Sequence, residues 1–324
     1  MKAVVLHGEV LEGAGRDEQD VLVQAGHVFR SLAELGYKPS VIAVSSDFSR
    51  LIDHLNILQP DFAFNLVESI LGQGRLIHMA PSILDYLNIP YTGARTEAIF
   101  FTSQKLLAKK FLKLNGLDTP PWISPDEPRT NLFTPGCYVI KSVWEHASVG
   151  LNEDSIVSVQ NEKKLLKIMK TKRGGLGGDC FAEAFIAGRE FNLSLLAGPD
   201  GPEVMPPAEI RFDDYPPGKH HIVGHRAKWD EDSFEYQNTP RTFELPVEDA
   251  PLLEKLKDLA LKCWQLFDLK GYARVDFRVD QEGRPWILEI NANPCLSPDA
   301  GFHAAAKRSG LKFNGVIERI IADM

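Results

Sequence analysis

A chain of 324 residues with 44% hydrophobic content is long enough to bury a substantial core and to build two or three structural units. Its 44 acidic and 36 basic residues leave a formal charge of −8, which argues against general binding to nucleic acid or to a membrane surface while allowing a local basic pocket. No apolar run reaches the roughly 20 residues that span a bilayer, and the opening MKAVVLHGEV is a strand pattern rather than a signal peptide, so a cytoplasmic location is expected.

Residues 1–95 repeat one pattern three times. Ala3 to Leu6 is a strand ending at Gly8, and the helix after it places Val21, Ala25, Val28, Phe29, Leu32 and Leu35 on one face before Gly36 stops it. Val41 to Val44 and Asp61 to Val67 are the next strands, each followed by a helix, Asp47 to Leu58 and a second one around Leu76, Ile83, Leu84 and Leu87. Strands alternating with helices predict a parallel sheet covered on both faces. Loops at the carboxyl ends of such strands line the ligand crevice, which singles out His7, Gly8, the loop to Glu18, and Asn65, Glu68 and Ser69. For each, a solvated loop residue is the alternative. No G-x-G-x-x-G occurs, so a dinucleotide fold is not supported.

A lysine-rich amphipathic helix is expected from Thr96 to Gly116, then a proline-rich connection, then a strand from Cys137 to Val143 that carries Lys141. The H-A-S-V-G after it is a loop of small residues that can bring backbone N–H groups to an anion, although no G-K-[ST] follows to make it a Walker loop. Phe181 to Ile186 and Glu190 to Leu196 are strands joined by Ala187-Gly188-Arg189, and a long polar segment from Asp213 to Pro240, with Lys228 in R-A-K-W, is expected as a lid. Glu248 to Phe267 is an amphipathic helix; an Ala-rich helix and a last one, Asn314 to Ala322, close the chain. The four cysteines are far apart with no C-x-x-C spacing, so reduced thiols are expected rather than a zinc site or a disulfide framework.

Before those last helices, Tyr272 to Val279 and Pro285 to Asn291 alternate as strands around the polar break DQEGR and read as a β-hairpin. Residues two apart on a strand share a face, so Arg274 and Asp276 oppose Ala273, Val275 and Phe277, while Glu289 and Asn291 oppose Leu288 and Ile290. If the polar faces coincide, two carboxylates and an amide oxygen form a donor set suited to Mg²⁺, with Arg274 beside them to hold developing negative charge. Read from the hairpin alone, a solvated face with cross-strand ion pairs is equally open.

Taken together and in order, Lys105, Lys141 followed by H-A-S-V-G, E-A-F-I-A-G-R-E, A-K-W, and R-V-D with L-E-I-N-A-N-P resemble the ATP-grasp superfamily and, within it, the D-alanine–D-alanine ligases. The resemblance implies an α/β protein of ATP-grasp architecture: an N-terminal parallel, doubly wound α/β domain (1–95), then two α+β subdomains (96–190 and 191–324) that sandwich ATP. It implies that Lys105 and Lys141 contact the ATP phosphates and that Glu183 meets the adenine amino group. Backbone groups of Ala184, Phe185 and Ile186 would pair with the ring, Glu190 would hold the ribose, and Lys228 would reach the γ-phosphate. Asp276, Glu289 and Asn291 match the ligands of Mg²⁺, for which Mn²⁺ is an alternative. Arg274, with backbone near Ser148 and Cys295, matches the group that holds an oxyanion, and Glu18 the carboxylate near the first substrate's ammonium. The implied activity is ADP-forming amide-bond synthesis through an acyl phosphate on small amino-acid or peptide-like substrates, and the relatives' habit of forming homodimers carries over as analogy.

The substrate end departs from the family pattern. Where the ligases carry H-G-x-x-G-E-D-G, this chain has Glu68-Ser69 and L-G-Q-G, which exchanges an imidazole for a carboxylate. Where the family has a glycine and, six positions after the proline, a serine that grips the acceptor's carboxylate, this chain has Cys295 and Ala300, with Ser297 out of register. Losing a hydrogen bond to a charged group costs roughly 1.5–3 kcal/mol. A ligase with a retained ATP half and an altered substrate half is the expectation, with an authentic D-alanine–D-alanine ligase and a nucleotide-binding scaffold without turnover as alternatives.

Overall fold

Strand β1 (Lys2–Gly8) is buried from Ala3 onward, as a strand covered on both faces must be, and it sits at the centre of the N-terminal sheet. The computed structural model describes residues 1–11, 13–126, 133–145 and 150–324. After β1 come α1 (Arg16–Glu34), β2 (Lys38–Val44), α2 (Phe48–Leu58), β3 (Phe62–Asn65) and α3 (Met79–Tyr86), and the three strands pair in parallel in the order β2-β1-β3. The Asp47 carboxylate caps α2 by accepting from the Arg50 N–H at 3.0 Å.

The single helix expected from Thr96 to Gly116 is two, α4 (Thr96–Ser103) and α5 (Lys105–Leu114). Gln104 leaves helical geometry at ψ 92° and its side-chain oxygen caps the new helix at the Leu107 N–H, so a chain with continuous periodicity is broken by a local cap. There follow β4 (Trp122–Ile123), β5 (Gly136–Ser142), β6 (Ile156–Val159), α6 (Glu162–Lys172) and β7 (Cys180–Ala184), whose strands form an antiparallel sheet ordered β4-β7-β5-β6.

The third sheet is built from β8 (Gly188–Leu196), β9 (Glu203–Val204), β10 (Ala208–Ile210), β11 (Arg241–Thr242), β12 (Tyr272–Asp280) and β13 (Pro285–Asn291), ordered β11-β10-β8-β12-β13 with β9 on β8. The expected unit boundary at residue 190 falls inside β8. The polar segment 213–240, expected as a loop, contains two short helices, α7 (His225–Trp229) and α8 (Phe234–Gln237). An aromatic cluster orders it: Phe212 stacks on His221 at 4.9 Å, and Tyr215 meets both His221 and Phe234. Beyond it lie α9 (Ala250–Leu266), α10 (Gly301–Arg308) and α11 (Phe313–Ala322).

Alternation along β8 and β12 decides which face of the third sheet is dry. Leu193, Leu195, Ala273, Val275 and Phe277 are fully buried against Leu256 and Ala260 of α9 and Ala98, Ala108 and Leu112 of α4 and α5. The even-numbered positions therefore turn to the opposite face, where Leu196 and Tyr272 join the core around Ala3 and Val5 and Glu190, Asp276 and Arg278 look toward the β4-β7-β5-β6 sheet. Helices α10 and α11 pack Phe302 and Ile317 onto Ala3 and Val5, so the C-terminus completes the core of the N-terminal sheet. Among the described residues no helix is long and apolar enough to cross a membrane.

Candidate active site

The register of the hairpin brings the polar faces together. Arg274 lies opposite Asn291 and Asp276 opposite Glu289, and β8 adds Asn192 beside Asp276 and Glu190 beside Arg278. Arg274 grips Asp276 with two bonds of 2.7 and 2.8 Å, and the Asn192 amide donates to the same carboxylate at 2.8 Å. A bulge between Asp276 and Phe277 corrects one expectation. Leu288 is the extra residue on β13, and instead of facing away from Glu289 it lines the same cleft.

That cleft lies between the two antiparallel sheets. Lys141 from β5 and Glu183 from β7 form one wall, while Glu190, Asp276, Arg278 and Glu289 form the other. Lys105 at the start of α5 and Lys228 on α7 close two sides, and Val139, Leu151, Ile186, Ile222 and Leu288 supply apolar surface for a planar ring. Ala184, Phe185 and Ile186 run along the edge, and Arg278 donates to the Ile186 carbonyl at 3.0 Å and to Glu190 at 3.1 Å.

The charges are mutually dependent. Glu183 is 2% exposed and sits between Lys141 at 2.5 Å and Lys109 at 2.6 Å. Burial alone would raise its carboxyl, but the two ammonium groups outweigh it and hold Glu183 below the usual carboxylate range. Burial pushes the Lys105 and Lys228 ammonium groups down, and Glu289 opposes the shift in both. For Glu289 itself, burial is overcome by Lys105, Lys228, Arg274 and Lys141, so it stays ionised. Yet Glu289 forms no hydrogen bond or ion pair among the described residues. An ionised carboxylate surrounded by cations at a distance, next to a second carboxylate and an amide oxygen, fits a hard divalent cation shared with phosphate oxygens. Two carboxylates are too few for an all-protein cage, and among the described residues no group of three or more His, Cys, Asp or Glu could hold a metal.

The expected substrate residues gather elsewhere, where α1 meets the loops after β3 and β13. The Gln24 amide donates to Glu68 at 2.5 Å, and its oxygen accepts from the Leu296 N–H at 3.2 Å. Asp20 accepts from the Cys295 thiol and the Ser297 hydroxyl, each at 2.9 Å. Burial and the charges of Glu68 and Asp20 push the Cys295 thiol well above its ordinary range, so it stays protonated. The Ser297 hydroxyl is 1% exposed and bound to Asp20. Burial, against the Gln24 bond, raises the Glu68 carboxyl to about 7. Glu18 is exposed on the first turn of α1, and Ala300 is the residue before α10. Ser148 lies outside the described residues.

Sequence reasoning missed Lys109, Arg278, Asn192, Asp20 and Gln24. The periodicity held the signal for most of them: Lys109 is one helical turn after Lys105, Gln24 one turn after Asp20, and Arg278 two residues after Asp276.

A family model described as the D-ala D-ala ligase C-terminus matches residues 132–322, more than half of the chain. The D-alanine–D-alanine ligase of Aquifex aeolicus is 28% identical over 317 residues, covering 96% of this chain and 98% of that protein. The Thermotoga maritima ligase is 28% identical over 323 residues, covering 99% and 96%. The solved structure of D-alanine–D-alanine ligase from Bacillus anthracis complexed with ATP superposes with a TM-score of 0.74 at 22% identity, covering 100% of this chain and 97% of that one.

Proposed function

This chain belongs to the D-alanine–D-alanine ligase family of ATP-grasp enzymes, an ATP-dependent, ADP-forming class of ligase, and from that premise we propose that it joins the carboxylate of one small amino-acid or peptide-like substrate to the amine of another in a pocket altered from that of its relatives. The observation that carries the reading is the polar face of the hairpin, where the register pairs Arg274 with Asn291 and Asp276 with Glu289, and where Asp276 and Glu289 line one cleft with Lys105, Lys141 and Lys228.

In this reading the lysines hold the triphosphate, and Asp276, Glu289 and Asn291 hold Mg²⁺ or Mn²⁺, which when bound neutralises charge on the transferring phosphoryl group. Glu183 reads the adenine amino group, the backbone of Ala184 to Ile186 pairs with the ring, and Glu190 takes the ribose hydroxyls. The donor carboxylate attacks the γ-phosphorus and displaces ADP, giving the acyl phosphate; the acceptor amine, losing a proton, then attacks the acyl carbon and expels phosphate. Arg274 receives the oxyanion of the tetrahedral intermediate, with backbone near Ser148 and Cys295 as further donors. The 213–240 segment, carrying Lys228, excludes water from the acyl phosphate. Glu18 and Glu68 face the donor's ammonium, with Cys295, Ser297 and Ala300 around the substrates. Residues 1–95, 96–190 and 191–324 act as the substrate-side unit and the two nucleotide-binding units, and the enzyme works in the cytoplasm, as a homodimer.

A second reading, D-alanine in both roles, is favoured by relatives of that name matching nearly the whole chain. A screen of ADP release over paired amino acids and dipeptides, with products identified by mass, tests both. Turnover with D-alanine alone selects the second reading, turnover with another pair selects the first, and tight ATP binding without ADP release for any carboxylate leaves a non-catalytic scaffold.

A further inference from the structure

Arg278 is 4% exposed and stands in the wall of the cleft between the two antiparallel sheets, opposite Glu190 across the ladder of β12 and β8. Its Nε donates to the Ile186 carbonyl and its Nη1 to Glu190, while Nη2, equally shut off from solvent, meets no acceptor among the described residues. Burial works against the charged form of the guanidinium, and Glu190 opposes that shift. An apolar pair of similar volume would serve the sheet as well as a buried ion pair does. Stability alone therefore gives no reason for an arginine here.

Its surroundings supply one. The guanidinium carbon lies 5.5 Å from the centre of the Phe185 ring and 5.8 Å from that of Phe212, within reach of a cation–π contact with each. Phe185 follows β7 at the edge of the cleft, and Phe212 is the residue before the polar segment 213–240. Phe212 stacks on His221 at 4.9 Å, Tyr215 sets its edge against both rings and packs on Phe234, and His220 sets its edge against Phe185 at 5.2 Å. Burial and the Arg278 charge hold the His221 imidazole below its ordinary value, which favours a neutral ring in that stack. One guanidinium thus joins the Ile186 carbonyl, the Glu190 carboxylate and the aromatic cluster of the segment.

We propose that Arg278 is a positioning residue that transmits nucleotide binding to the aromatic half of the lid, residues 212–221. The proposal rests on the ligase reading above, in which the base pairs along residues 184–186 and the ribose meets Glu190. A nucleotide held at those two places fixes the carbonyl and the carboxylate that set the plane of the guanidinium, and Phe212 packs on that group. The other half of the lid needs no such relay, because Ile222, Val223 and Lys228 line the cleft themselves.

Hydrogen–deuterium exchange, with and without Mg²⁺ and a non-hydrolysable ATP analogue, reads the two halves separately. In the wild type the analogue should slow exchange across residues 212–229. Arg278→Lys keeps a cation beside Glu190 but loses the planar fork. At an analogue concentration saturating by its own Kd, it should lose about fivefold or more of the slowing at 212–221, the factor one cation–π contact carries, and keep the slowing at 222–229. Phe212→Leu, at a residue that does not line the cleft, should show the same pattern with the Kd for the analogue near its wild-type value. The double variant should lose no more than either single one, as expected of two residues in one connection. Slowing at 212–221 that survives in Arg278→Lys, or losses that simply add in the double variant, overturns the proposal. So does exchange that rises equally with and without analogue, or an Arg278→Lys protein that does not fold, since either makes Arg278 a structural support. A wild type that binds the analogue without slowing at 212–221 overturns it as well. Calorimetry that finds no analogue binding to the wild type condemns the nucleotide site instead, and with it the ligase reading.

Discussion

Individual side chains here are set more by their neighbours than by their own chemistry. Lys109 and Glu183 are each 2% exposed and joined at 2.6 Å, and Lys109 also donates to Thr119 at 2.6 Å and to the Pro120 carbonyl. Lys109→Met leaves Glu183 with one ammonium in place of two, and breaking a buried pair of this kind costs about 3–5 kcal/mol. Denaturant unfolding should show that loss, whereas a shift below about 1 kcal/mol would mean that Lys141 alone suffices. Glu68 carries a pH consequence. Its folded pKa of about 7 lies above its ordinary value of 4.5, so the stabilisation is complete below 4.5 and is lost as pH rises to about 7. Glu68→Gln should flatten the stability profile between pH 4.5 and about 7, read as Tm against pH; an unaltered slope would place the titration elsewhere.

At the level of elements, the site exists because strands cross at close quarters. Gly188 opens β8 at φ 146°, and a Cβ there would stand 2.0 Å from the Val279 carbonyl oxygen at the end of β12. No side chain fits without pushing the two strands apart, and Arg278, which binds Glu190 and Ile186, adjoins Val279. Gly188→Ala should therefore lower Tm by several degrees and raise the KM for ATP severalfold. Wild-type values for both would show that the strand end moves freely. The bulge at Asp276/Phe277 acts at the same scale, turning Leu288 into the cleft while Asp276 and Glu289 keep their shared face.

Across the whole molecule, the polar groups also tie the units together. Asn293 accepts from the Tyr272 hydroxyl at 2.6 Å and donates to the Val67 carbonyl at 3.1 Å, linking the hairpin to the N-terminal sheet. The Gly74 N–H donates to Glu145, whose carbonyl takes Lys105, and the 213–240 segment reaches Leu151 through the His225 N–H at 2.8 Å. A nucleotide bound in the cleft as proposed would contact three of these segments at once and stabilise them together. MgATP at 100 times its Kd should add about 2.7 kcal/mol to stability, seen as a rise in Tm. Glu289→Gln should abolish the part of the shift that depends on Mg²⁺, along with turnover, while leaving the Tm of the free protein nearly unchanged. An equal shift with and without Mg²⁺ in the wild type would remove Glu289 from metal binding.

Periodicity made much of this legible before any coordinates. Alternation in the hairpin already put Arg274 with Asp276 and Glu289 with Asn291, and three βα repeats foretold the parallel sheet, because both patterns are local and one face of each element must be dry. The ladder register is not local. It decided that Asp276 faces Glu289 and that Leu288 bulges into the cleft. Lys109 likewise became the support of Glu183 only once α5 had docked beneath β7. Charge pairing between residues 74 positions apart is a property of packed space, and a chain read in one dimension carries no record of it.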